Sequence, residues 1–571
     1  MLTRCISCGK LIPGVAQFCD DCRAKEEALA APNASPSAPQ AAEWKAARGG
    51  RSDRIILAVA GVAILGVILA VGLLALGGGG DDSDTPAVVD TVTGTASPAG
   101  TLAPLGYAGA DCPFEQPFGV EAECGYLTVP LTRAEPDRGR VKIAVAVFRS
   151  DSDNPLPDPL VYLDGGPGGN TLEGVAFLYN VVQPIAEDRD LIVFDQRGVG
   201  FSEPALDCPE LTEVNYELLL RQVTVDQRVA ADAESARDCR ERLQGEGIDP
   251  YFATSAENAA DVNDLRIALG YEQWNLFGVS YGTKLALQVM RDFPAGVRSV
   301  ILDSTYPLRV DLYAEHQAGF DRALGELFSA CADDSGCNAG YPELEAAFYE
   351  TVDRLNEVPV QVSLGALEGR SRGAATIDGI WFASFVFSSM YSAELIPVMP
   401  RMIFDTRNHE YTLLNAFADV YFDTLQGISY GMYLSVQCGE EAPFSDHEAV
   451  ISAAEAHPRM PEYGEYAARS AFAVCDEWDA PEAAPAANEA VVSEIPTLIL
   501  AGQFDPVTPP GWGSLAAETL KNRYFFEFPA IGHGAAFSDG CAADMTRAFL
   551  ENPAQAPSSA CVGSFGGVDW R

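Results

Sequence analysis

Gly278-Val279-Ser280-Tyr281-Gly282 is a G-x-S-x-G pentapeptide set between an apolar run, WNLFGV, and a helix-patterned stretch, TKLALQVMRDF. A serine hydroxyl is a poor nucleophile at neutral pH and needs a base to take its proton. Flanking glycines permit a turn so tight that the hydroxyl projects at the helix N-terminus, beside the backbone N–H of Tyr281. The chain has 5 histidines. His316, His409, His447 and His457 fall where no strand pattern is found, whereas His533 stands in FPAIGHG just after an apolar strand. His533 is the expected base. A carboxylate must then fix its tautomer and stabilise the imidazolium. Asp505, in LILAGQFDPVTPP, follows the penultimate strand and gives the chain order Ser280, Asp505, His533. Asp303, closing RSVILDS, is the rival. The run Asp164-Gly165-Gly166-Pro167-Gly168-Gly169 follows another strand, and its bare backbone offers donors to an oxyanion, Gly166 beside Tyr281. These residue types in this order point to acyl transfer through serine.

A second constellation lies at the other end of the chain. Cys5, Cys8, Cys19 and Cys22 form C-x2-C-x10-C-x2-C, two knuckles able to set four thiolates around one tetrahedral metal. The stretch RCISCGKLIPGVAQFCDDC resembles a short bacterial zinc ribbon, which implies a structural zinc ion. The other ten cysteines all follow residue 100 and are even in number, as disulfides in an oxidising compartment require. Short loops close at least entropic cost, so sequential pairing is expected, from Cys112–Cys124 to Cys541–Cys561.

A membrane between the two sets reconciles reduced and oxidised thiols. Residues 55–76, IILAVAGVAILGVILAVGLLAL, carry no charge and no proline, and roughly 20 such residues cross a bilayer as a helix. Lys45, Arg48, Arg51 and Arg54 precede the run, and Asp81, Asp82 and Asp84 follow it. Basic flanks stay inside, so the expectation is one membrane helix with a cytoplasmic N-terminus and an extracytoplasmic remainder. The net charge of −44 across 571 residues argues against nucleic-acid binding and reads as a solvated acidic surface. With 48% hydrophobic residues there is ample material for a large core.

The elements that must position the candidate residues alternate in type. Apolar runs at 141–148, 159–166, 190–198, 274–282, 298–304, 496–502 and 523–530 are separated by helical patterns, the signature of a mostly parallel sheet flanked by helices. Residues 255–269 predict a helix capped by Ser255, and residues 283–293 a helix stopped by Pro294. The alternation fails between 308 and 490, where the pattern is mainly helical, so an inserted cap is expected. The resulting division is a zinc ribbon (1–26), a linker (27–54), the membrane helix (55–76) and a second linker (77–106). The hydrolase core then occupies 107–307 and 491–571, with the cap (308–490) between its two segments.

DGGPGG at 164–169, DQRGVGFS at 195–202, GVSYGT at 278–283, GQFDPVTP at 502–509 and GHG at 532–534 occur in one order. In that order they resemble the alpha/beta-hydrolases of the prolyl aminopeptidase group, in particular the tripeptidyl-aminopeptidase-like branch. The resemblance spans about 107–571 and implies an alpha/beta-hydrolase fold with a helical cap, a serine exopeptidase activity and no catalytic metal. Asp164 departs from it, since many prolyl aminopeptidases read HGGPGG. Gln437-Cys438-Gly439-Glu440-Glu441 resembles a cysteine-plus-acid motif of the branch's cap, which makes Glu440, and next Glu441, candidates to hold the amino terminus of a peptide substrate. Two other readings stay open: an esterase or lactonase using the same three residues, and a non-catalytic ligand sensor signalling to the ribbon.

Overall fold

The computed structural model of the chain describes residues 2–4, 11–13, 106–363, 374–564 and 566–571. The four ribbon cysteines, the 55–76 run and both linkers (Gly106 excepted) lie outside the described residues. In the N-terminal unit, Leu2–Arg4 pairs antiparallel with Leu11–Pro13. Among the described residues no helix is long and apolar enough to cross a membrane.

The remaining unit is built on a nine-stranded sheet. Its strands are β1 (Gly106–Gly109), β2 (Glu123–Pro130), β3 (Arg140–Phe148), β4 (Leu160–Leu163), β5 (Leu191–Phe194), β6 (Trp274–Val279), β7 (Val297–Asp303), β8 (Thr497–Gly502) and β9 (Arg523–Phe528). They lie in the order β9-β8-β7-β6-β4-β5-β3-β2-β1. The last three pair antiparallel, and β5, β4, β6, β7, β8 and β9 run parallel. Parallel strands covered on both faces should be apolar throughout. Every residue of β4, β5, β6 and β8 is indeed buried.

Successive side chains leave a strand on opposite faces, which splits the core into two layers. Val161, Leu163 and Leu276 pack under helices α3 (Ser255–Leu269) and α4 (Tyr281–Asp292). Leu160, Tyr162 and Phe277 pack on the other face with α1 (Val175–Ala186) and α9 (Gly540–Glu551). The cap of α3 is Thr254 rather than Ser255: its side chain accepts the Glu257 N–H at 3.2 Å, and Ser255 is the first helical residue. Helix α4 ends at Asp292, two residues before Pro294, as expected.

The insertion between β7 and β8 contains α5 (Leu312–Asp333), a hairpin pairing Val360–Ser363 with Ala374–Ile377, α6 (Gly379–Ser389), α7 (Tyr430–Val436) and α8 (Pro461–Trp478). The cap is thus not wholly helical. Nor is it wholly an insertion, because α2 (Val225–Gly245), reached between β5 and α3, joins it. Tyr466 and Ser470 of α8 donate to Asp232 of α2 at 2.8 and 2.7 Å, and Arg228 of α2 pairs with Asp378 at 2.7 Å. The cap covers the carboxyl ends of the strands, where Ser429 N–H donates to Gly168 and Gly431 N–H to Leu206. All five expected disulfides are formed: Cys112–Cys124, Cys208–Cys239, Cys331–Cys337, Cys438–Cys475 and Cys541–Cys561.

Candidate active site

Strand β6 runs straight into α4 through Ser280, whose φ of 58° and ψ of −128° are a conformation that side-chain-bearing residues seldom adopt. The surrounding glycines are obligatory. A Cβ on Gly278 would strike the Gly282 carbonyl, and one on Gly282 would strike the Leu163 carbonyl. The turn is pinned to the next strand by Ser280 N–H donating to Asp303 O at 3.1 Å. Tyr281 opens the helix, so its N–H has no intrahelical acceptor.

Opposite the turn stands the loop after β4. Gly165 packs so closely that an added Cβ would lie 2.9 Å from Ser280 Cβ. Gly165 N–H is taken by Asp164 Oδ1 at 2.8 Å, and the same carboxylate accepts from Tyr162 at 3.0 Å and Thr171 at 3.1 Å. Asp164, the departure from the HGGPGG pattern, therefore braces the glycine loop. Gly166, in the same loop, sits at φ +106° and its N–H is not taken by another main-chain carbonyl. Behind the loop, fully buried Arg197 of DQRGVGFS forms a bidentate pair with Asp261 of α3 at 2.7 and 2.7 Å.

Asp505 and His533 meet at the ends of β8 and β9. Their loops touch where a Cβ on Gly502 would strike the Gly532 carbonyl. Asp505 is fully buried; Oδ1 accepts the N–H groups of Val507 and Thr508, and Oδ2 accepts Thr508 Oγ1 at 2.7 Å and His533 Nδ1 at 2.8 Å. Burial alone would raise the Asp505 carboxyl, but the imidazole's charge and hydrogen bond, with Thr508, hold it below its ordinary value. Burial alone would lower His533, and here too the partner wins: the charge and hydrogen bond of Asp505, helped by Asp303, raise it. With Nδ1 donating to Asp505, Nε2 is left to accept a proton. The Asp505–His533 pair is closed, whereas Ser280 Oγ is not hydrogen-bonded to the imidazole. Contacts of this kind often tighten only with substrate bound. The rival Asp303 takes different partners, the N–H groups of Ala535 and Ala536, both at 2.8 Å.

Two family models match the chain, one described as alpha/beta hydrolase fold over residues 158–330 and one as TAP-like protein over residues 460–561. Serine protease Hip1 of Mycobacterium tuberculosis is 26% identical over 463 residues, covering 77% of this chain and 87% of that one. Tripeptidyl aminopeptidase of Streptomyces lividans is 32% identical over 238 residues, 40% of this chain and 43% of that one. Carboxylesterase B of M. tuberculosis is 24% identical over 465 residues, 77% of this chain and 86% of that one. The chain is a serine hydrolase of the alpha/beta-hydrolase fold.

In this serine hydrolase Gln437–Glu441 forms a π-helical turn, and Glu440 and Glu441 are each only 4% exposed. Surface charges they are not. Glu441 is bonded to Lys284 of α4, itself 1% exposed, so it is already committed and does not stand free for a substrate amine. Glu440 Oε1 accepts Ser255 N–H at the start of α3 at 2.6 Å, while Oε2 is buried without a hydrogen-bond partner, 3.8 Å from Lys284 Nζ. Burial, opposed by the charge of Glu440, brings the Lys284 ammonium down to about 8.

Sequence reasoning passed over four residues of the serine hydrolase site. Thr508 bridges Asp505 and His533. Tyr391 lays its ring 4.7 Å from the imidazole, and its main-chain carbonyl accepts His533 N–H at 3.0 Å. Arg322 of α5 donates to the carbonyls of Gln503 and Asp505 at 2.7 and 2.6 Å. Lys284 faces the acidic turn. Only Lys284 left a signal, as a lone charge in the apolar stretch four residues after Ser280.

Proposed function

We propose that the chain is an aminopeptidase that releases residues or short peptides from a free amino terminus through an acyl-enzyme on Ser280. Ser280 Oγ forms a bond to the scissile carbonyl carbon as its proton passes to His533 Nε2, with Asp505 stabilising the imidazolium. The carbonyl electron pair moves to oxygen, between the N–H groups of Gly166 and Tyr281. Collapse breaks the C–N bond, and the proton on Nε2 leaves with the amine. Water repeats the sequence and frees Ser280.

The observation that carries the amine requirement is the acidic turn. Two buried carboxylates face one ammonium, and Glu440 Oε2, 3.8 Å from it, has no hydrogen bond. A buried carboxylate oxygen without a hydrogen bond is costly, and a substrate ammonium would complete it. Similarity to a tripeptidyl aminopeptidase agrees with this reading, and similarity to a carboxylesterase favours the second one, ester hydrolysis on the same serine. Kinetics on paired substrates separate them. Free peptide anilides should be cleaved and their N-acetyl counterparts spared, Ser280→Ala should abolish turnover, and Glu440→Gln should raise KM for free peptides about tenfold or more while leaving a simple aryl ester unaffected. Equal turnover of free and acetylated peptides would reject the aminopeptidase reading.

The same proposal sets the hydrolase outside the cytoplasm, tethered by residues 55–76, with Cys5, Cys8, Cys19 and Cys22 holding a structural zinc ion inside. The apolar run, the basic flank before it and the five disulfides beyond it support this. Membrane-fraction recovery lost on deleting 55–76, and one zinc per chain lost on Cys→Ser substitution, are the expected results.

A further inference from the structure

Asp303 is fully buried on β7, between the strand that delivers Ser280 and the strand that delivers Asp505. It pairs with Val279 on one side and Leu500 on the other. Its main-chain carbonyl accepts the Ser280 N–H at 3.1 Å. Its carboxylate reaches past the elbow: Oδ1 takes Ala535 N–H and Oδ2 takes Ala536 N–H, each at 2.8 Å. The next residue, Ser304, accepts Gly534 N–H on Oγ at 2.8 Å and is itself held at φ 58°, with its N–H on Leu500 O. Three consecutive amides after His533 are thus gripped by two consecutive residues, and the first of those two also holds the nucleophile's amide.

We infer that Asp303 is the positioning residue that fixes the His533 loop against the Ser280 turn, and that its negative charge assists Asp505 in stabilising the imidazolium. The inference rests on the reading of His533 as the base. A carboxylate is suited to the task because two parallel N–H groups at a helix start favour an anion with two acceptor oxygens. Serine or alanine at this position could not span both amides. An asparagine could accept only one and would turn an N–H₂ toward the other. Without the carboxylate, the Ala535 and Ala536 amides lose their anchor and the loop is held by the Ser304, Tyr391, Thr508 and Asp505 contacts that remain; a displacement of about 1 Å costs about a hundredfold in rate.

The groups that face the imidazole are Asp505 and Thr508 from the β8 loop, Asp303 from β7 and the Tyr391 ring from the cap, with Arg322 behind Asp505. Burial lifts the Asp303 carboxyl to about 6, against the two N–H groups that lower it, so it is ionised at neutral pH. Removing that charge leaves Asp505 to act alone, so the imidazole becomes less basic and the acid limb of the rate profile moves to lower pH.

The test compares Asp303→Asn with the parent enzyme and with His533→Ala, using the full chain with its disulfides intact. Expected for Asp303→Asn are a 10- to 100-fold fall in kcat, KM changed by less than about twofold, and an acid limb of kcat/KM displaced to lower pH. A folded variant with the parental kcat and the parental limb overturns the inference. A fall in kcat with the limb unmoved also overturns it, since a merely structural loss would do that. If Asp303→Asn does not fold, Ser304→Ala decides: kcat should fall threefold or more at constant KM, and an unchanged kcat overturns the shared grip. His533→Ala that retains activity would refute the base assignment instead, and so marks that failure apart.

Discussion

Thr508 shows how much depends on one hydroxyl. It donates to Asp505 Oδ2 at 2.7 Å and lies 3.2 Å from His533 Nδ1, and both it and the carboxylate are buried. Thr508→Val keeps the volume and removes the hydrogen bond to a buried anion, and kcat/KM should fall roughly tenfold or more. Stopped-flow or steady-state assays with a chromogenic peptide will measure it. The imidazole itself makes a pH prediction. The base works only when neutral, and the neighbouring carboxylates raise His533 above its ordinary 6.5. The acid limb of kcat/KM should therefore have an apparent pKa above 6.5; one at or below that value would contradict the role of the carboxylates. The Asp505–His533 contact and the strained turn at Ser280 were readable because each residue follows an apolar strand in a short glycine-marked motif. Thr508 and Tyr391 were not. A threonine three residues from an aspartate and a tyrosine in the cap acquire meaning only when distant loops meet.

At the scale of elements, the nucleophile helix and the acidic turn of the cap are joined through Lys284. Lys284→Met would leave Glu440 and Glu441 buried without a counter-ion, and breaking a buried pair from one side costs about 3–5 kcal/mol. Urea denaturation should show that loss, and Lys284→Met combined with Glu441→Gln should recover part of it. A midpoint unchanged in the single variant would place the pair in solvent. The seven strands expected from apolar runs all form; the inner ones, buried on both faces, declare themselves by continuous hydrophobicity, and edge strand β9 by its aromatic run. β1 and β2 were missed: they pair antiparallel at the sheet edge, where β1 is four residues long and mostly exposed. The α3 cap shifted by one residue because Thr254 and Ser255 are both capping types, Ser the better one, and the extended backbone at Thr254 decides for the threonine.

For the molecule as a whole, the acidic excess works against compaction, and among the described residues five covalent links oppose it. The chain-entropy argument ranks them by loop length. Cys438–Cys475, 37 residues apart, should contribute about 4 kcal/mol, and Cys331–Cys337, 6 apart, about 2 kcal/mol. Thermal melts of the two Cys→Ser double variants should therefore differ, the first being the less stable. Pairing by sequence neighbour was legible because every link closes a short loop. The reach of α2 into the cap was not, since the residues on both sides of that contact are polar and carry no periodicity that names a partner.

That contact bears on how substrate gets in. The cap is fastened by α2 on one flank, by Arg322 to the acid loop, and by the Tyr391 carbonyl to His533. Two of these ties end on the adjoining acid and base loops, so lifting the cap would strain the Asp505–His533 pair. Entry with the cap in place, rather than by lifting it, is the expected route for substrate. Turnover should accordingly be indifferent to viscogens such as sucrose beyond the slowing of diffusion itself.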